Sequence, residues 1–296
     1  MELQQLRYVL AVAETRNFTR AAQRCFVVQS ALSRQIKALE GELGLQLFAR
    51  SSRRVELTQA GAAFLPAARA ALEAADRAVA DASAAAGRLR GTLTIGVIPT
   101  VTALNVPAAL GAFREAHPDV RISLRVGGSD EFMADVAAGS LDVALLGLSE
   151  SLPPRRVASA VLARERLVAV VPSDHRLAAR RRLGLGDLAD EPFVDFPAGA
   201  PGRIPSDAAF AAAGVRREVA YEAAGLDMML GLVQQGLAVA LLAAGAVAGR
   251  AGLATIPLSD GPVRVQHLAW SDFNPSPAAL AFVELARAQA EPSFPS

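Results

Sequence analysis

Apolar residues recur at helical spacing through the first third of the chain and at alternating strand and helix periods after it. Leu3, Leu6, Leu10 and Ala13 form one stripe, which predicts a helix over Glu2 to Arg16. A short helix follows, capped by Asn17 or Thr19, with Ala21 and Ala22 small enough for close packing. Val27-Val28 leaves only a tight connection before the next helix. There Leu32, Ile36 and Leu39 stand at i, i+4 and i+7, while Gln29, Ser30, Ser33, Arg34 and Lys37 project elsewhere. Phe48 to Thr58 reads as a two-stranded wing whose tip, Ser51 to Arg54, is basic.

Thr58 then caps a helix running to about Gly87, ~45 Å at 1.5 Å per residue and too long to fold onto a small domain. Its apolar repeat is a heptad: Leu65, Ala68, Leu72, Ala75, Val79, Ala82 and Ala86. Large positions facing small ones suit close antiparallel helices, which predicts a homodimer through this segment. Pro66 removes one backbone hydrogen bond and predicts a kink near Ala62 to Pro66.

Gly87 to Gly91 breaks the helix and the period changes. Strands are predicted at Thr92–Ile98, Val120–Val126, Asp142–Leu146, Leu167–Val171, Glu218–Tyr221, Ala238–Leu242, Leu253–Ile256 and Val263–Trp270. Helices are predicted at Leu104–Ala116, Glu131–Ala138, Pro205–Ala213, Asp227–Gln234 and Pro277–Ala288. The alternation implies parallel sheets with helices on both faces, in two α/β lobes that form a cleft.

The chemistry of the first helices narrows the reading. A short helix, a turn and a second helix with a polar, acid-free front is helix-turn-helix geometry. Arg pairs with guanine, Gln with adenine, and Ser with either bases or phosphates. The match runs through Phe18-Thr19-Arg20-Ala21-Ala22, Gln29-Ser30-Ala31-Leu32-Ser33-Arg34-Gln35-Ile36, and Leu39-Glu40 with Leu43-Gly44, Leu47-Phe48 and Arg50. It closes with Leu57-Thr58 and Ala60-Gly61. This series closely resembles the LysR-type transcriptional regulators, and the likeness extends over essentially the whole chain. One departure stands out. Val28 occupies the recognition-helix cap where family members usually carry Ser or Thr, which removes ~0.5–2 kcal/mol of capping unless Gln29 or Ser30 takes over.

The resemblance implies an N-terminal all-α winged helix-turn-helix over residues 1–58, with its motif at about 18–37. A linker and dimerisation helix over 59–88 follows, then a periplasmic-binding-protein-like α/β effector domain over 91–296. Lobe I is expected at about 91–161 and 267–296, and lobe II at about 162–266. Gln29, Ser33 and Arg34 are base-reading candidates; Ser30, Lys37, Arg53 and Arg54 are phosphate or minor-groove candidates.

Charge fits a DNA partner once it is divided. The net formal charge is +1, but residues 1–58 carry nine cationic and five acidic side chains, a balance of +4 that leaves −3 for the rest. No apolar run approaches the ~20 residues of a membrane span, and the first residues lack a secretory pattern. A lone cysteine, Cys25, fits the cytoplasm and reads as core filler. His117, His175 and His267 lie far apart without metal-ligand spacing, and Trp270 reads as core. No nucleophile elbow, phosphate loop or dinucleotide fingerprint is present, so no enzyme is expected.

In open α/β sheets ligands sit beyond strand C-termini, against helix N-termini. Thr100, Thr102 and Ser129 stand at such places in lobe I, and the loop Phe196 to Arg203 corresponds in lobe II. By resemblance, Thr100, Thr102, Ser129, the Phe196–Gly202 loop with Ala200 and Gly202, and Leu226 line the effector cleft. Arg203 is a further candidate partner for an anion. The expected function is a sequence-specific regulator, dimeric or tetrameric, that reads an interrupted inverted repeat of double-stranded DNA. It would respond to a small-molecule co-inducer, contact RNA polymerase, need no metal or other cofactor, and not bind membranes. A solute-binding protein and a doubly wound enzyme are the alternatives. The first leaves the basic N-terminal domain unexplained, and the second lacks a catalytic constellation.

Overall fold

The computed structural model describes residues 1–50, 55–85 and 88–290, and the chain divides into two compact units with the change after Arg88. The first unit opens with helices α1 (Leu3–Thr15), α2 (Phe18–Arg24) and α3 (Gln29–Leu43). Asn17 caps α2, its side chain accepting from the Arg20 N–H at 3.0 Å. The apolar stripe of α3, Leu32, Ile36 and Leu39, is wholly buried against Val9 and Val12 of α1 and Ala21 and Ala22 of α2. A hairpin follows, β1 (Phe48–Arg50) antiparallel to β2 (Val55–Leu57), with Phe48 opposite Leu57. The Glu40 carboxylate accepts the N–H groups of Leu47 and Phe48 at 2.9 and 3.2 Å, which ties the wing to the end of α3. The expected tip residues Ser51 to Arg54 lie outside the described residues.

Helix α4 (Gln59–Ala85) starts where its cap predicts, with the Thr58 hydroxyl accepting from the Gly61 N–H at 2.9 Å. It is continuous through Pro66. Part of its heptad stripe is covered within the chain: Ala68 and Leu72 are buried against Leu6 of α1, with Leu10 alongside. Further along, Ala75 is half-buried, and Val79 and Ala82 are exposed.

The second unit carries two sheets. Its elements are β3 (Gly91–Val97), α5 (Val106–Ala116), β4 (Val120–Val126), α6 (Ser129–Ala138), β5 (Val143–Ser149) and β6 (Ala158–Arg166). Then come β7 (Val168–Pro172), β8 (Pro192–Asp195), α7 (Ile204–Ala212), β9 (Glu218–Glu222) and α8 (Leu226–Gln234). The last described elements are β10 (Ala240–Leu242), α9 (Ala244–Val247), β11 (Leu253–Ile256), β12 (Val263–Trp270) and α10 (Pro277–Gln289).

Lobe I is a five-stranded sheet ordered β4-β3-β5-β12-β6. In lobe II, β10-β7-β11 form one ladder and β8-β9 another. Hydrogen bonds from the Val194 N–H to the Val239 carbonyl and from the Val239 N–H to the Pro192 carbonyl, 2.9 and 2.8 Å, join them beside β10. The spatial order is therefore β9-β8-β10-β7-β11, the same pattern as in lobe I.

Both sheets are mixed rather than wholly parallel. Strands β3, β4 and β5 run parallel, whereas β12 is antiparallel to both β5 and β6. In each lobe the antiparallel strand is the one that arrives from the other lobe: β12 against β5 and β6, and β7 against β10 and β11. The β6–β7 link is Leu167 alone, and β11 passes into β12 without a helix. These two links carry the chain between the lobes, at Leu167 and between Ile256 and Val263, a few residues from the divisions at 161/162 and 266/267 expected from sequence. Strands β6 and β8 had no sequence prediction. Arg164, Glu165 and Arg166 interrupt the apolar pattern of the first, and the second is four residues long and opens on Pro192. An edge-to-face pair anchors each lobe's core, Phe113 with Phe282 at 5.6 Å and Phe193 with Phe210 at 5.4 Å.

The recognition helix and the interlobe cavity

The polar front of α3 is built by exclusion. With Leu32, Ile36 and Leu39 turned inward, Gln29, Ser30, Arg34 and Lys37 are exposed and Ser33 is half-buried at the margin. The Arg34 Nε lies 3.4 Å from the Ser30 carbonyl, a weak restraint that leaves the guanidinium tip at the surface. Val28 is the N-cap and makes no side-chain hydrogen bond to the first turn. The family's usual cap is therefore absent without replacement from Gln29 or Ser30. Helix α2 ends in a Schellman turn: the Phe26 N–H donates to the Gln23 carbonyl and the Val27 N–H to the Ala22 carbonyl, at 3.1 and 3.0 Å. Phe26 holds the left-handed position of that turn, at φ 56°. Arg53 and Arg54 fall outside the described residues. Cys25 is half-buried against the head core, and burial pushes its thiol pKa up, away from the thiolate range.

Between the lobes lies a cavity of about 330 Å³. It is lined by Thr100 and Ser129 from lobe I and by Phe196, Ala200 and Gly202 from lobe II, as the sequence led us to expect. Most of the remaining wall is apolar: Ile98, Pro99, Val126, Pro197, Pro201 and Ala224. Gly202 is required by close approach, because a Cβ there would stand 2.7 Å from the Phe196 ring. Two expected residues stand elsewhere. The Thr102 hydroxyl is held by Glu165 and Gln266 and is not part of the lining. Leu226 faces an adjoining depression with Asp227, Met228 and Arg250.

Sequence reading missed the polar floor. Arg264 on β12 is 4% exposed and lines the cavity. Its guanidinium donates to the Thr100 hydroxyl at 2.6 Å, to the Thr100 carbonyl at 2.9 Å and to Glu165 at 2.8 Å. The Arg264 Nε is buried without a partner. Gln266, two residues on, donates to Glu165 at 2.7 Å and accepts from the Thr102 N–H at 3.1 Å. A signal existed: Arg264 and Gln266 recur with period two in a largely apolar strand, so they share one face of the sheet. Ser129 lines the cavity but spends its hydroxyl on the backbone of Gly147, at 3.1 and 3.2 Å.

A second polar group fixes the far wall. Arg203 donates to the Phe196 carbonyl at 3.3 Å and to Glu222 at 2.6 Å, and Glu222 accepts from the Ala198 N–H at 3.2 Å. Arg203 is thus bound to the loop itself. Beneath it, Arg217 pairs with Asp195 at 2.8 Å and Asp207 at 2.6 Å, its guanidinium 5.4 and 5.2 Å from the Phe193 and Phe210 rings. Burial raises the Asp195 carboxyl pKa despite the neighbouring Arg217. Among the described residues no His, Cys, Asp and Glu side chains converge to hold a metal ion, and no helix is long and apolar enough to cross a membrane.

The comparisons with known proteins agree with this geometry. Residues 3–62 match the bacterial regulatory helix-turn-helix protein model of the lysR family, and residues 86–291 match the LysR substrate binding domain. The chain belongs to the LysR family: it is a DNA-binding transcriptional regulator with an effector-binding domain, not an enzyme. It is 40% identical to the uncharacterized HTH-type transcriptional regulator YnfL of Escherichia coli (strain K12) over 201 residues, 66% of each chain. It is 33% identical over 292 residues to the HTH-type transcriptional regulator ShiR of Corynebacterium glutamicum (strain R), covering 97% of this chain and 98% of that one. Among solved structures, full-length CbnR complexed with its target DNA matches at a TM-score of 0.73 and 30% identity, over 98% of this chain and 100% of that one.

Proposed function

We propose that the interlobe cavity takes a small, largely apolar effector bearing one hydrogen-bond-accepting end, a carboxylate or carbonyl, seated on Thr100 and Arg264. One observation carries this reading: the polar floor keeps donor groups that its own acceptors do not use. The Arg264 Nε is buried and unpartnered, and the Thr100 hydroxyl, which accepts from Arg264, keeps its own hydrogen to donate. A buried orphan donor costs about 1–3 kcal/mol, which an accepting ligand recovers. Glu165 already balances the Arg264 charge, so the floor offers hydrogen-bond donors rather than an uncompensated positive charge. Ser129, Phe196, Ala200 and Gly202 shape the walls, with Thr102 supporting Glu165 from behind.

The DNA-facing assignment follows α3: Gln29, Ser33 and Arg34 to bases, and Ser30, Lys37, Arg53 and Arg54 to phosphates or the minor groove. The regulator acts in the cytoplasm as a homodimer, or a tetramer of two dimers, on an inverted repeat, and contacts RNA polymerase. The dimer reading uses the helix α4 stripe of Leu65, Ala68, Leu72, Ala75, Val79 and Ala82. Since Leu6 covers Ala68 and Leu72, the partner contact rests on the distal positions, where Val79 is 67% exposed. Sedimentation of Val79→Glu tests this: a shift toward monomer is expected, and an unchanged assembly overturns the assignment.

The effector reading is tested by melting the full-length protein with small monocarboxylates and with their corresponding primary alcohols. Stabilisation by an acid but not by its alcohol, lost in Thr100→Val, is the expected result. Equal stabilisation by both, or persistence in Thr100→Val, contradicts it.

A further inference from the structure

The turn that leads into the recognition helix carries two apolar side chains that the fold does not use. Phe26 is 95% exposed, more than any other large apolar side chain among the described residues, and Val28 is 68% exposed. Val27 between them packs on the head core, so the alternation sends both neighbours outward. Each sits where the backbone asks for something else. Phe26 occupies the left-handed position of a Schellman turn, which Gly or Asn fills without steric cost. Val28 occupies the cap of α3, where Ser, Thr, Asp or Asn would bond a free N–H. Within three residues the head forgoes two local stabilisations and keeps two exposed apolar groups instead.

We propose that Phe26 and Val28 read DNA, contacting the C5-methyl groups of thymines beside the base that Gln29 engages. Three observations select this occupant. The pair is continuous in sequence with the exposed polar front, Gln29, Ser30 and Arg34. Residues at the N-terminal end of a recognition helix are the ones that approach base edges. The thymine methyl is the apolar feature of the major groove, and contact with it is how an apolar side chain distinguishes bases there. The family's usual polar cap is thereby exchanged for a specificity element at the same position.

The experiment uses the full-length protein and a duplex recovered by it from a random-sequence pool. Each thymine of the recovered half-site is replaced in turn by deoxyuridine, which removes only the methyl group. Loss of about fourfold in affinity is expected at each contacted thymine, the worth of one buried methyl. Phe26→Gly and Val28→Ser relieve the left-handed strain and restore the cap, so both variants fold and should melt higher than wild type. Each should also lose the deoxyuridine penalty at its own position. The proposal is overturned if no thymine of the half-site shows a penalty in wild type, or if the penalties survive in both variants. The latter result would leave the pair to a protein partner, which is blind to the methyl. Recovery of a specific duplex reports DNA binding by itself, so a failure of the head and a failure of methyl reading are distinguishable.

Discussion

The reading face and the interlobe cavity solve opposite problems. On α3 the candidate side chains are exposed, apart from the half-buried Ser33, and drawn from nine consecutive residues, Gln29 to Lys37. In the cavity the functional groups are buried, paired with one another and gathered from far apart: Thr100 and Arg264 are separated by 164 residues. The first face leaves its groups in water, which the proposed DNA contact would replace. The second has already desolvated Arg264, and holds it with Glu165 and Thr100 while its Nε is left without a partner. Substitutions on α3 should therefore change binding with little effect on stability, whereas those on the cavity floor should change both.

The largest expected effect breaks the floor. Arg264→Met strands Glu165 and the Thr100 carbonyl, and should destabilise the second unit by ~3–5 kcal/mol in denaturant melts. Adding Glu165→Gln should recover part of that loss. A double variant no more stable than the single one would mean that packing, not charge, sets the cost. Next comes a steric test in the first unit. A Cβ on Gly61 would lie 2.1 Å from the Leu47 carbonyl oxygen, a backbone atom with little room to yield. Gly61→Ala should cost ~1–3 kcal/mol of head stability. A neutral outcome would show that the wing and the start of α4 shift freely.

The smallest effect is a pH dependence. His267 on β12 is 6% exposed, and burial, with Arg164 nearby, holds its pKa below the ordinary 6.5. The unfolded chain therefore takes up this proton first, so stability rises with pH through the window below 6.5 and is complete above it. Melting temperatures followed from pH 5 to 7.5 should rise in wild type, and less steeply in His267→Gln. Parallel curves would assign the slope to other groups.

The same contrast explains what the sequence made legible. The head was readable because its signals are local: Leu32, Ile36 and Leu39 give the buried stripe, and what remains of that helix turn is the reading face. The alternation of elements likewise pointed to two α/β lobes. The left-handed turn at Phe26 was hidden, because the position carries none of the Gly or Asn that usually marks it. The mixed sheets were hidden because β7 and β12 each enter their sheet from the other lobe, a topology that no periodicity records. The heptad of α4 gave a stripe but not its occupant, and within the chain Leu6 covers part of it. Thr102 and Arg264 illustrate the limit most plainly. A hydroxyl at a strand end does not reveal whether it faces a cavity or a glutamate 63 residues away, and the arginine on an apolar strand gains its role only from Thr100 opposite.

The central claim is that α3 reads sequence through Arg34 while its neighbours set the electrostatic background. The direct test is a mobility-shift titration of wild type and Arg34→Ala, over a salt series, on a specific duplex and on its single-base variants. The expected result is a loss of ~1–3 kcal/mol on the specific duplex, with discrimination relaxed at one base position and the salt slope changed little. An equal loss on every duplex, with the salt slope reduced by about one, would make Arg34 a phosphate contact and contradict the assignment.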